Sequence, residues 1–99
     1  MTIYQHRASV TAASGETSST SLSIIGGLCR QLLVVANTSS TTFKVNITDE
    51  KSLKVMDYGY YTGTLNDQTL FTPMSGKYTI NITNATPDDT FSVYLGVEE

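Results

Sequence analysis

Charge is scarce in this chain. Only 15% of its 99 residues are Asp, Glu, Lys or Arg, against about 25% in an ordinary soluble domain. Cysteine and histidine occur once each, proline twice, and tryptophan not at all. One cysteine cannot build an internal disulfide framework. One histidine and one cysteine fall short of the Cys/His sets that hold zinc within a single chain. The basic residues are Arg7, Arg30, Lys44, Lys51, Lys54 and Lys77, scattered rather than striped. That distribution argues against nucleic acid as a partner. No apolar run approaches the ~20 residues of a bilayer-spanning helix, which argues against a membrane helix. The stretch Met1–Arg7 lacks the apolar centre of a secretory leader. The expectation is a product that stays in the cytoplasm of the cell that makes it, or leaves by lysis.

What the chain has instead is hydroxyls: 16 Thr and 11 Ser. Threonine is β-branched and suits a half-exposed strand. A Ser/Thr surface can lie against another neutral protein surface without stripping water from charges. The net charge is −3 and the pI about 4.9.

Two stretches nearly repeat each other, Phe43-Lys44-Val45-Asn46-Ile47-Thr48 and Tyr78-Thr79-Ile80-Asn81-Ile82-Thr83. In each, large apolar groups take alternate positions, the pattern of a strand with one buried and one wet face. Equivalent strands of two different sheets would produce such an echo. The outward positions would then be Lys44, Asn46, Thr48, Thr79, Asn81 and Thr83.

Further strands are expected over residues 2–12, Leu22–Ile25, Leu28–Ala36, Leu53–Met56, Thr69–Thr72 and Thr90–Val97. Along the first, Tyr4, His6, Ala8, Val10 and Ala12 share a face. Gly26-Gly27 reads as a hairpin turn, because glycine reaches positive φ without strain. Leu28–Ala36 is apolar on both faces and reads as a central strand. In Leu53–Met56 the inward residues are Leu53 and Val55; in Thr90–Val97 they are Phe91, Val93, Leu95 and Val97. The segment 13–21 is small and polar and reads as a loop or arm. Asn84–Asp89 reads as a turn. About seven or eight short strands with polar turns, and no helical period, predict an all-β chain. The expected architecture is a single domain over 1–99, an antiparallel β-sandwich or jelly roll.

No catalytic constellation stands out, and no enzyme is expected. His6 has no local nucleophile or orienting group. Cys29 sits in an apolar run and reads as a buried free thiol. Nine carboxylates fall mostly in turns and at the tail, where turn use explains them. Asp88 and Asp89, with Asn84 and the Thr86 carbonyl, could offer oxygens to calcium, but their spacing matches no EF-hand loop. Gly26-Gly27 lacks the lysine and helix of a phosphate loop. The sequons at Asn37, Asn46, Asn81 and Asn84 are read as incidental in a Thr-rich chain. No cofactor and no metal is expected. The candidate interface residues are Tyr58, Tyr60, Tyr61, Asn46 and Asn81. The tyrosines can pack one end of the core, anchor a protein interface, or stack on a sugar.

Ser75–Ile82 followed by Phe91–Leu95 resembles the closing hairpin of small jelly-roll modules, including secreted pre-peptidase C-terminal domains. The whole chain, an acidic β domain with a Ser/Thr surface and a polar segment near its start, resembles a small virion protein of a tailed bacteriophage, of the capsid decoration or cement type. The resemblance implies a non-enzymatic structural protein, made in the host cytoplasm and located in the virion. Its partner would be the major capsid protein or another virion protein, and it would often be a symmetric homo-oligomer. A carbohydrate-binding or receptor-binding β-module of a phage tail is the alternative. Small size and edge strands in need of cover also favour a homo-oligomer.

Overall fold

A computed structural model describes residues 3–98. Seven strands make up one antiparallel sheet, and no helix occurs among the described residues. They are β1 (Ile3–Ala12), β2 (Ser18–Ala36), β3 (Thr42–Thr48), β4 (Lys54–Thr62), β5 (Thr64–Asp67), β6 (Thr72–Thr86) and β7 (Asp89–Glu98). The order across the sheet is β1-β7-β2-β6-β3-β4, with β5 added beside β2. The expectation of an all-β, antiparallel fold holds.

The sheet is folded over on itself. Strands β3 and β7 stand three places apart, which in a flat sheet is about 14 Å. Yet the rings of Phe43 on β3 and Phe91 on β7 meet edge to face, centroids 4.9 Å apart. The long strand β2 makes this possible. Its first half, Ser18–Cys29, pairs with β6, and its second half, Leu28–Ala36, lies between β7 and β5. One layer is therefore β4-β3-β6 with the first half of β2. The facing layer is β1-β7 with the second half of β2, then β5. The core fills the space between: Phe43, Val45, Ile47, Ile80, Ile82, Phe91, Val93, Leu95 and Val97 are fully buried. These are the alternating positions that the sequence pattern marks.

The Gly26-Gly27 pair is not a hairpin turn. Residues 22–25 and 28–36 belong to the single strand β2, and the glycines sit in a bulge. Ile24 pairs with Gly76 and Gly27 with Met74, so β2 carries one extra residue there. A second bulge at Arg30 follows, with Cys29 opposite Val97 and Gln31 opposite Gly96. Each inserted residue flips which side of the strand faces the core. Hence the buried positions run Ile24, then Cys29, then Leu32, Val34 and Ala36.

Other expectations change in the same way. The two copies of the echo are neighbours in one sheet, with Val45 opposite Ile82, Asn46 opposite Asn81 and Ile47 opposite Ile80. They do not come from two sheets. Leu53 and Val55 point outward, 61% and 37% exposed, and Met56 is buried instead. The turn Asp49–Leu53, closed by Asp49 Oδ1 on the Lys51 and Leu53 N–H groups, feeds β4 in at a different register. Val55 is the extra residue of a bulge there, skipped between Ile47–Met56 and Thr48–Lys54. The segment 13–21 is a connection only over residues 13–17, because Ser18–Ser21 pair with Thr79–Ile82. The strand expected at Thr69–Thr72 is absent; β5 ends at Asp67 and β6 begins at Thr72. Of the expected turn at 84–89, residues up to Thr86 extend β6, and only Pro87 and Asp88, after a cis Thr86–Pro87 bond, connect to β7.

The loops at one end of the molecule are tied by Asp89. Its Oδ2 accepts the Thr41 hydroxyl at 2.7 Å and the Thr38 N–H at 2.9 Å. Its Oδ1 accepts its neighbour's N–H, that of Thr90. Thr41 is fully buried. Partial desolvation pushes the Asp89 carboxyl up, but the three hydrogen bonds outweigh it and hold it below the usual carboxylate range.

Candidate interaction face

The first half of β2, with β6, β3 and β4, presents an outward face whose side chains fall into rows. Ser21, Thr79, Thr48 and Lys54 form one row; Ser19, Asn81, Asn46 and Asp57 the next; Thr83, Lys44 and Tyr60 a third. The rows follow from alternation: the inward partners on these strands are the core residues, so the Ser, Thr and Asn between them must face out.

The central row is linked by its own side chains. Ser19 Oγ donates to Asn81 Oδ1 at 2.6 Å, and Asn81 Nδ2 donates to Asn46 Oδ1 at 2.8 Å. Asn81 Nδ2 also lies 3.4 Å from Thr48 Oγ1. One amide thus spans three strands. Its side chain cannot swing freely, so a docking partner would meet groups that are already ordered. The charges on the face are few; Lys54 and Asp57 pair at 3.6 Å, both well exposed, a contact worth little in stability.

The five candidate residues do not form one patch. Asn46, Asn81 and Tyr60 share the outward face. Tyr60 is 64% exposed; Lys44 Nζ lies 5.4 Å from its ring centroid, and Asn84 Nδ2 donates to its hydroxyl at 2.9 Å. Tyr61 stands opposite Phe43 and so takes the core side of β4, at its rim. Tyr58 packs against the core and donates its hydroxyl to Asp67 Oδ2 at 2.9 Å. The separation has a cause: β4 carries an extra residue between Asp57, opposite Asn46, and Tyr60, opposite Lys44. Burial first, then the Asp67 carboxylate, pushes the Tyr58 hydroxyl far above its ordinary value. Thr69 donates to Asp67 through its hydroxyl and its N–H, and with the Tyr58 bond these overcome desolvation and lower the Asp67 carboxyl. Ser19 and Ser21 are the face residues missed by treating 13–21 as an arm. The signal was present, since Ser19, Ser21 and Ser23 alternate with Thr20, Leu22 and Ile24.

His6 stands opposite Leu95 on β1, half-buried. Cys29 is a buried free thiol, as expected, and burial pushes it up to about 11. Asp88 accepts the Ser14 N–H while Asp89 is turned to Thr38 and Thr41. The two carboxylates therefore serve different loops. Among the described residues, no three His, Cys, Asp or Glu side chains converge as a metal-binding group.

The fold and the face define a small antiparallel β-module with a neutral, hydrogen-bonding surface. No protein-family model matches the chain, and no curated protein matches it at a significant level.

Proposed function

We propose that this chain is a non-enzymatic structural protein that docks through the Ser/Thr/Asn face of β2, β6, β3 and β4 onto another protein surface. In the form that the sequence resemblance suggests, the partner is a virion protein, and the chain decorates or cements a phage capsid. The observation that carries the reading is the linked row Ser19–Asn81–Asn46, an ordered polar ladder across three strands. A surface of this kind offers donors and acceptors at fixed positions and loses little hydration energy on contact with a neutral surface.

The test mixes purified protein with undecorated phage heads and sediments them. Co-sedimentation and more stable heads are expected. A Thr79→Glu variant, which adds a carboxylate beside Ser21 and Thr48 at a half-exposed position, should abolish co-sedimentation without unfolding the chain. No binding by the unmodified protein would overturn the capsid reading.

Tyr60 favours a second reading, a carbohydrate-binding or receptor-binding module. Its exposed ring, steadied by Lys44 and Asn84, is a stacking platform. Glycan binding lost on Tyr60→Ala would support it, and a blank glycan array would remove it.

A further inference from the structure

Among the described residues the fold leaves several sheet edges, and they are not alike. β3 covers β6 only from Thr79 onward, and the part of β6 before it carries Pro73. β5 has four residues. β4 is broken by two register shifts and carries Lys54 and Asp57. The edge part of β2 ends in the bulge after Ile24. β1 differs from all of these. It runs for ten residues, pairs with β7 without a single register shift, and has Arg7 as its only Lys, Arg, Asp or Glu. Bulges, inward charge, proline and short length are the devices that keep an edge from pairing with another strand. β1 uses none of them.

We propose that β1 is a self-association edge, and that a second copy of this chain pairs with it antiparallel about a two-fold axis at Ala8. The occupant follows from the strand's own sequence. Rotation about Ala8 sets residue 7 opposite residue 9, 6 opposite 10, 5 opposite 11 and 4 opposite 12. These pairs keep the same parity, so core-side residues meet core-side residues and the two sheets become continuous. On the core side, Tyr4 meets Ala12, His6 meets Val10, and Ala8 meets itself, large against small at both ends. Tyr4 is 51% exposed in the single chain and gains a neighbour. On the outer side, Arg7 meets Ser9 and Gln5 meets Thr11. An axis one residue earlier would set Arg7 against its own copy, a like-charge pair that cross-strand contact disfavours. The contact is isologous and uses up the edge on both copies, so it closes at a dimer.

The dimer belongs to the layer opposite the polar face. It does not depend on what that face docks to, and failure to bind heads leaves it standing. Sedimentation equilibrium on the full chain over a concentration series tests it. Dimer is expected at the upper end of the series. Ser9→Lys sets a lysine against Arg7 of the second copy, twice per dimer, and should weaken association roughly tenfold. Ser9→Glu should leave it intact or tighten it. Arg7→Glu combined with Ser9→Lys should restore it, which no general loss of folding would do. Ser9 is exposed, so the unfolding midpoint serves as the folding control. Monomer throughout the series, or a dimer indifferent to Ser9→Lys, would overturn the proposal.

Discussion

The Asn81 amide donates to the Asn46 side chain at 2.8 Å across the β6–β3 pair, while its oxygen accepts Ser19 from the other flank. Both asparagines come from the same place in the sequence echo, 35 residues apart in the chain. Antiparallel pairing has turned a linear repeat into a direct contact.

Removing that amide should be felt locally and in docking. Asn81→Ala leaves Ser19 and Asn46 without their partner on a half-exposed face. A loss of about 1 kcal/mol is expected, the ordinary net value of such hydrogen bonds. Urea unfolding at neutral pH should show a lower midpoint with unchanged slope. Head binding should weaken by more than the stability loss explains, since the ladder is no longer ordered. Equal head binding by Asn81→Ala and the parent would separate the ladder from function.

How far the sequence reaches is visible in three places. Phe91, Val93, Leu95 and Val97 alternate without interruption, and all are buried; strict alternation is enough when no bulge intervenes. Gly26-Gly27 shows the opposite case. A glycine pair permits a hairpin turn and permits a bulge, and only pairing to the same partner on both sides decides for the bulge. At Leu53 and Val55 the alternation is misread by one residue, because a bulge in β4 resets the parity. The candidate face was half legible for this reason. Asn46 and Asn81 follow from alternation alone. The split of Tyr60 from Tyr58 and Tyr61 depends on another β4 bulge that leaves no mark in composition.

Acid should act through Asp89. Its carboxyl is held below the usual range in the folded chain by Thr41, Thr38 and Thr90, against the opposing effect of desolvation. A depressed folded value means that the unfolded chain binds protons first as pH falls. The stabilising contribution is therefore full above the unfolded carboxylate value, near 3.8, and is lost as pH drops through the lower folded value. Asp67 acts in the same direction. Thr41→Val should cost about 1–3 kcal/mol at neutral pH, because it removes a buried donor from a carboxylate. Asp89→Asn should flatten the acid limb of a stability–pH curve. A limb that stays as steep would show that other carboxylates govern it.

The corner between β4 and β5 should tolerate no side chain. Gly63 has φ 75°, and an added Cβ would lie 2.6 Å from the Ser39 carbonyl oxygen. That neighbour is backbone, and Gly63 is itself held in place, its N–H donating to Thr41 O and its carbonyl accepting from Ala36 N–H, both at 2.8 Å. Gly63→Ala is expected to cost about 2 kcal/mol or more, from positive φ and the clash together. Gly59→Ala, four residues earlier, meets open space and should stay within about 0.5 kcal/mol. Thermal unfolding of the two variants side by side checks the contrast.

Cys29 should report on opening of the core. Its side chain is fully buried on β2, opposite Val97 and Thr72, and burial pushes the thiol up to about 11. The thiolate is the reacting form, so at neutral pH the folded chain should react very slowly with a disulfide reagent. Reaction should proceed through opened molecules, and its rate should rise with urea in step with the unfolded fraction. The same burial sets an alkaline limit. The folded value lies above the unfolded one, near 9.0. Stability from the neutral thiol is complete below the unfolded value and falls as pH climbs toward the folded one. Cys29→Ala would delete the reagent signal and leave a small core void, costing about 1 kcal/mol. A parent thiol that reacts at the rate of a free cysteine at neutral pH, with the chain fully folded, would show that β2 opens near its bulges without the rest of the sheet.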